Sequence, residues 1–485
     1  VRATLDPPPA LTLDRARALA LTGAAAVFAY LAAQRLLRGG LMVGLLVLAI
    51  GLAVLVLERP RATVALMLVF SAPLAEPMRR LYYVGGLTTD AFEVLAYALI
   101  LRWVISRGRE ARTPSWRFAG PLVLLVGGAT VGAAYGLYRG ADHTLVLGQF
   151  KSYLVYLLVL PLTALFTTTR DKARLERWVV TFCIAGSLVV LGAAAIGSST
   201  PSEAPNIPIN TFGVTTQVNR IRPAMLWLLF LATLIVLGKV FAYGMSRRRG
   251  AALALFLGVW LFSFNRSSWA ALVVCAGVLA LLRPGPRRPG RGIRTAAVAA
   301  LLLPLFLALA ASGTLGPSLR QVPARLDSLV NPQVVSEDAV QDRASEYPFA
   351  FNALRHSPLL GVGLGRSYGA RRPFYDPRLG VVVYEDRPFS HNSIVFAYLQ
   401  TGLLGIAALG WLAVAAIRAA REALRTMPPD IALRVLTGCV ALLGYGIQSL
   451  TQTSLLHRPG ITAAVVAMVL ATAPRDAPAP GPADA

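Results

Sequence analysis

Long apolar runs recur along this chain from end to end, and no other feature constrains its fold as much. A helix that crosses a bilayer needs roughly 20 mostly apolar residues, and fewer where polar ends reach the interface. Such runs lie near 18–34, 41–57, 62–75, 89–106, 119–137, 147–166, 178–196, 223–242, 250–264, 268–282, 295–312, 392–417, 431–450 and 460–473. They predict about 14 spans, or about 12 if short neighbouring runs merge or turn back. Backbone groups inside lipid must be satisfied internally, so the expected fold is an all-α polytopic membrane protein. Composition agrees, because 56% of the 485 residues are hydrophobic and only 14% are charged, more than a soluble core of this size requires. The stretch Ala18–Ala33 leads into another run and not into a small-residue cleavage site, so it reads as a span and not as a secretory signal.

The formal charge of +24 would point a soluble chain towards nucleic acid. In a membrane chain it points instead to basic loops that orient helices and meet anionic lipid, and no nucleic-acid partner is expected. Arg102, Arg107, Arg109, Arg112 and Arg117 form one cluster, and Arg170, Lys172, Arg174 and Arg177 form another. Arg247–Arg249, the run "RPGPRRPGRGIR" at 283–294, and Arg418, Arg421 and Arg425 follow. They fall in alternate connections, as the positive-inside rule requires of cytoplasmic loops. Both termini then lie in the cytoplasm, and 138–146, 197–222, the short "NRSS" turn and 313–391 lie on the outer face. The chain divides accordingly into an N-terminal helical bundle (1–312), one long periplasmic loop with short helices (313–391), C-terminal spans (392–473) and a Pro/Ala-rich tail (474–485) read as disordered.

Arginines on the outer face depart from the sidedness rule. Arg220 and Arg222 stand in "QVNRIRPAMLW" just before a span, and Arg266 stands in "FSFNRSSWAAL" between two apolar runs. At that depth an unpaired charge costs at least a few kcal/mol, and acidic residues are scarce nearby. A guanidinium there calls for bidentate oxygens, and a lipid-linked pyrophosphate at the outer leaflet supplies them. Snorkelling to the interface is the competing reading. The group Arg371, Arg372 and Arg378 reads as ordinary solvated loop charge. Lys151, in "GQFKSYLVYLL" at an outer span start, is a candidate supporting cation or an interfacial anchor.

Within the long loop, "DRASEYPFAFNALRHSPLLGVGLGRSYG" (342–369) predicts an amphipathic helix over Ala344–Leu354. Tyr347, Phe351 and Leu354 make its apolar stripe, with Pro348 delaying or bending its start. The "HSP" that follows stops it. Gly361, Gly363 and Gly365 then form a turn able to take positive φ and to fold closely against a ligand or the membrane surface, with Arg366 beside it. No strand–turn–helix unit surrounds these glycines, so they are no dinucleotide fingerprint. His391 and Asn392 stand where the loop re-enters the bilayer, and only four histidines occur in the chain. A neutral imidazole suits abstraction of a hydroxyl proton near neutral pH. Capping of the next helix is the plainer role for Asn392. Cys183, Cys275 and Cys439 sit inside apolar stretches without metal or disulfide spacing, and no HExxH or outer-loop acidic pair is present, so no metal or other cofactor is expected.

The block from 342 to 369 followed by "HNSIVFAYLQTGLLG" resembles the O-antigen ligase/polymerase superfamily of bacterial envelope glycan enzymes. "NRSSWAAL" is similar to that family's Ser-Arg-x-x-Trp segment, with Asn265 where serine is usual. The resemblance implies a membrane-embedded, GT-C-like helical enzyme of the inner membrane. It implies metal-independent, inverting transfer from an undecaprenyl-pyrophosphate-linked glycan donor on the periplasmic face. His391 then matches the family's general base, with Asn392 following it. Arg266, Arg343 and Arg220 or Arg222 match the donor pyrophosphate ligands. The implied acceptor is lipid A–core in the ligase branch, the reading favoured here. It is a lipid-linked glycan repeat in the polymerase branch and a protein hydroxyl in a third. A lipid-linked glycan transporter is the alternative from another class, disfavoured because the polar residues gather at one face.

Overall fold

The computed structural model describes residues 51, 55–70, 82–84, 87–89, 91–106, 115–195, 206–211, 214–219, 225–263, 265–284, 338–369, 371–376, 381–386, 390–452, 455–456 and 458–477. The chain separates into a short unit, Val1–Ala65, and a main unit, Leu66–Ala485. In chain order the elements are α1 (Pro60–Phe70), hairpin β1–β2 (Tyr82–Val84, Leu87–Thr89), α2 (Ala91–Ser106) and α3 (Trp116–Tyr138). α4 (His143–Leu154) runs through a 3-10 turn, Val155–Leu158, into α5 (Val159–Leu165), and α6 (Thr169–Ala195) follows. Hairpin β3–β4 (Asn206–Thr211, Val214–Asn219) precedes α7 (Leu226–Tyr243), α8 (Arg247–Ser263) and α9 (Arg266–Leu282). Then come α10 (Asp338–His356), hairpin β5–β6 (Arg371–Asp376, Val381–Asp386), α11 (Ser393–Thr426), α12 (Pro429–Ser449) and α13 (Arg458–Ala471).

Among the described residues, six helices are long and apolar enough to cross a membrane: Trp116–Tyr138, His143–Leu165, Thr169–Gly192, Leu226–Tyr243, Ser393–Thr426 and Pro429–Ser449. Shorter apolar helices accompany them, and the chain is an all-α, multi-pass membrane protein. The apolar runs at 18–34 and 295–312, and most of 41–57, lie outside the described residues. Large apolar side chains on α3, α9 and α11, such as Val123, Val273 and Ile417, point outward, as they do where lipid replaces water. The two-stranded antiparallel hairpins are additions to the expected all-helical plan. In β5–β6, Arg371 pairs with Asp386 and Asp376 with Val381 in register, which adds a hairpin to the loop expected to contain short helices.

Packing in the bundle depends on small residues. α3 carries Gly128, Gly132 and Gly136 one helical turn apart, on a single stripe. A Cβ at Gly128 would press on the Leu404 Cβ at 3.1 Å, and one at Gly132 would run into the Gln400 carbonyl. α3 and α11 therefore touch backbone to backbone. α12 starts with Pro429, whose missing N–H is no loss at a first turn. Gly438 on α12 leaves room for the backbone of α13 around Ala467 and Ala471. α13 is only 14 residues long and buried on every side from Ile461 to Ala471, as a helix apolar all round should be. Its C-terminal carbonyls would be orphaned in lipid. Lys172, itself buried, donates to Val469 O at 2.9 Å and to Thr472 O.

The first residues of the tail expected to be disordered are docked. Arg475 N–H donates to Thr167 O at 2.9 Å, and the Asp476 carboxylate accepts from Thr169 N at 2.8 Å. The Thr169 backbone N–H, helped by the Thr169 hydroxyl, holds the Asp476 carboxyl below the usual range.

Candidate functional site

α10 is longer than the sequence predicted, beginning at Asp338 and passing through Pro348 before ending at His356. Its inward stripe keeps the predicted Leu354 but runs back through Ala350 and Glu346, one residue before the predicted Phe351 and Tyr347. Glu346, Ala350 and Leu354, four residues apart, are buried, whereas Phe351 is exposed. Ala350 and Leu354 pack with Tyr368 and Leu399. This packing carries a carboxylate inward with the apolar face. Glu346 is the member of the candidate site that the sequence does not single out. An acidic side chain in register with Ala350 and Leu354 was the signal that could have found it.

Glu346 meets the loop end. Its Oε1 lies 2.6 Å from His391 Nδ1, and its Oε2 accepts from the His391 backbone N–H at 3.0 Å. Both carboxylate oxygens thus grip one residue. The Glu346 side chain is 4% exposed and that of His391 is 32% exposed, so the ring reaches the surface from a buried hold. An ionised carboxylate can only accept, so the proton of a neutral ring sits on Nδ1 and Nε2 keeps its lone pair. The carboxylate anchors the ring at Nδ1, which makes Nε2 the ring nitrogen with the chemistry of a base.

Asn392 fixes the backbone next to it. Its Oδ1 caps α11 by accepting from Ile394 N and Val395 N at 3.0 and 3.1 Å, and its Nδ2 donates to the Tyr347 hydroxyl at 3.2 Å. Ser393 Oγ donates to Gln452 O at 2.7 Å. Gln452 Nε2 in turn donates to Asn265 Oδ1 at 2.7 Å and to Ser267 Oγ. Asn265 is the N-cap of α9, accepting from Ser268 N. Serine and asparagine do this job about equally well, so the departure at Asn265 leaves the turn intact. Through Gln452 the start of α9, where Arg266 is the first helical residue, is tied to the segment that begins with His391. Gln448, one turn before Gln452, accepts from Ser268 Oγ at 3.1 Å. One amide inside an apolar span and another just past its end are a second signal in the sequence.

The glycine-rich turn folds against the bundle's own backbone, not against the membrane surface. α11 is broken at Gly402, whose φ of 63° and ψ of −152° are not helical. The break strands helical backbone groups, and the turn satisfies them. Val362 N and Gly363 N donate to Leu399 O at 2.6 and 3.2 Å, and Leu403 N donates to Leu359 O at 3.0 Å. On the other side Leu364 N donates to Gly132 O at 3.0 Å. Irregular backbone survives at membrane depth only when buried in protein in this way. Gly365 N completes the seat by donating to Gln149 Oε1 at 2.6 Å, which also accepts from Gln400 Nε2. Gly361, Gly363 and Gly365 all take positive φ, as expected.

Among the predicted residues, His391, Asn392 and the start of α9 come together through Ser393 and Gln452, and the middle of α10 joins them at Glu346 and Tyr347. Arg343 lies on α10 one turn before Glu346. Lys151 does not stand as a spare cation: its Nζ is 3.4 Å from the Glu93 carboxylate, which is fully buried on α2. Arg366 donates to the Arg139 carbonyl at the end of α3. Arg220 and Arg222 lie outside the described residues. Among the described residues, no group of three or more His, Cys, Asp and Glu is placed to hold a metal ion.

Residues 251–410 match a family model described as O-antigen ligase. The match runs from α8 to the middle of α11 and contains Arg266, Arg343, Glu346 and His391. It supports the O-antigen ligase-like superfamily and an O-antigen ligase or polymerase type of function in general. No curated protein matches the chain.

Proposed function

We propose, with an O-antigen ligase-type domain over residues 251–410 as the premise, that the chain is a metal-independent, inverting glycosyltransferase. It takes a glycan from a polyprenyl-pyrophosphate carrier, an undecaprenyl lipid, at the periplasmic face of the bacterial inner membrane, with both termini cytoplasmic. The acceptor is a hydroxyl of lipid A–core. The observation that carries this reading is the His391–Glu346 pair, in which the carboxylate holds Nδ1 and the backbone N–H of the same residue, with the Arg266 turn linked to the same segment.

His391 Nε2 takes the proton of the acceptor hydroxyl as the hydroxyl oxygen bonds to the anomeric carbon. The bond from that carbon to the pyrophosphate breaks on the opposite face, which inverts the configuration. Arg266 and Arg343, with Arg220 or Arg222, hold the charge that builds on the leaving pyrophosphate. Fixed cations in a partly dry site are effective in that task. Glu346 holds the ring and stabilises the imidazolium that proton transfer creates, as the third member of a Ser-His-Asp triad does.

Ligase and polymerase share this chemistry and differ in acceptor. The test incubates purified protein with a lipid-linked repeat and either lipid A–core or more repeat. One transfer onto core is expected. A ladder of repeats would make the chain a polymerase, and no transfer to either acceptor would remove the transferase reading.

A further inference from the structure

α3 ends in a cluster of cations that the reaction does not use. Arg139 is its C-cap residue, one turn after Tyr135. An Arg139 guanidinium nitrogen donates to the Tyr135 hydroxyl at 2.9 Å, and its Cζ lies 5.7 Å from that ring's centre. Arg366, at the end of the glycine-rich turn, reaches across to the Arg139 carbonyl. Ser357 and Arg366 both come near enough to act on the Tyr135 hydroxyl. Two guanidinium groups, a phenol and a serine hydroxyl therefore converge from α3 and from the turn after α10.

Among the described residues no carboxylate joins them. The nearest acid in sequence, Asp142, is committed elsewhere, because it accepts from Thr144 N and Leu145 N as the N-cap of α4. Those bonds hold its carboxyl below the usual range. Each guanidinium has five N–H donors, and the contacts above use few of them. Part of this arrangement is structural, since a cation suits a helix C-terminus and Arg366 satisfies an orphan carbonyl. One arginine would serve that purpose, and two placed side by side without an acid make an anion site.

The surroundings select the kind of anion. Tyr138, next to Arg139, is 85% exposed, and Leu137 and Leu359 beside the cluster are also well exposed. A free anion gains nothing from such a rim, but an amphiphile gains from both parts. We propose that Tyr135, Arg139 and Arg366 bind the phosphate headgroup of a membrane lipid, on the face of the bundle that carries His391. The acyl chains lie against the apolar rim. The site is separate from the pyrophosphate arginines and does not depend on the transferase reading.

The test measures binding of dioctanoyl phosphatidic acid to purified protein in an uncharged detergent, with inorganic phosphate and dioctanoyl glycerol as comparison arms. Arg139→Gln leaves the Arg366-to-carbonyl bond in place and should weaken phosphatidic acid binding about tenfold, the effect of losing one charge-assisted contact. The double variant with Arg366→Gln should weaken it further. Arg421→Gln, an exposed arginine at the far end of α11, should have no effect and His391→Ala should bind as wild type. Equal affinity in wild type and Arg139→Gln, or no binding by wild type, would overturn the proposal. Equal affinity for diacylglycerol would overturn the phosphate contact, and equal affinity for inorganic phosphate would overturn the lipid.

Discussion

Replacing Glu346 by glutamine changes one atom and should disable the histidine without emptying the site. The carboxylate accepts two hydrogen bonds from His391, one at each oxygen. The amide keeps one acceptor and presents two donors in place of the other. If its oxygen stays with the His391 backbone N–H, the NH2 faces Nδ1 and forces the proton onto Nε2, where the base is needed. If it turns over, the backbone N–H faces a donor and the loop end shifts. One charge-assisted bond is lost, about 1.5–3 kcal/mol, and a buried donor is left unmatched, about 1–3 kcal/mol. The sum corresponds to a rate loss of about 10²- to 10⁴-fold at about 1.4 kcal/mol per tenfold. The assay is glycan transfer from the lipid-linked donor, resolved into kcat and KM. The loss should fall on kcat, with KM for donor and acceptor within about twofold of wild type. Nitrogen-15 shifts of the labelled His391 ring should report the change of tautomer. A kcat for Glu346→Gln within about twofold of wild type, in protein of unchanged thermal stability, would refute the role assigned to this carboxylate.

Other outcomes follow from the same contacts. Gly402→Ala puts a Cβ into the Leu359 carbonyl at a positive φ, and thermal unfolding in detergent should show a loss above about 2 kcal/mol. Gly132→Ala collides with the Gln400 carbonyl and should destabilise strongly, whereas Gly127→Ala, with nothing within 4 Å, should be neutral or slightly stabilising in the same assay. Asp476 has a lowered pKa in the folded protein. Its contribution is therefore present above the ordinary carboxylate range near 3.8 and is lost as pH falls through the lower folded value. Asp476→Asn should remove that part of the acid dependence of the tail's protection from protease, and an unchanged dependence would dismiss the cap.

The spans were legible because twenty-residue apolar runs have few alternatives: 119–137 and 431–450 reappear as Trp116–Tyr138 and Pro429–Ser449. The His391 position was legible for a different reason, since a rare polar type stands at the end of the one large loop. What sequence alone hid was pairing across distance. Glu346 and His391 are 45 residues apart, and the one local sign, an acid in register with Ala350 and Leu354, competes with a stripe of larger apolar side chains through Phe351. The predicted stripe through Phe351 took the larger side chains to be the buried ones. In the structure the small Ala350 packs against Leu399, which rotates Glu346 into the site. The glycine turn was misread similarly. Its positive φ values were foreseeable, but its partner is a break in α11, and a helix broken at Gly402 is invisible in hydropathy. The glycines at 128, 132 and 136 carried a readable small-residue repeat that marked the other half of that seat.

The most direct measurement compares glycan transfer by wild-type and His391→Ala protein, both membrane-inserted and equally stable to heat, with the same lipid-linked donor and lipid A–core. The variant should still bind the donor and form no detectable product over the wild-type time course. Product formed at the wild-type rate by His391→Ala would contradict the role of His391 as the base.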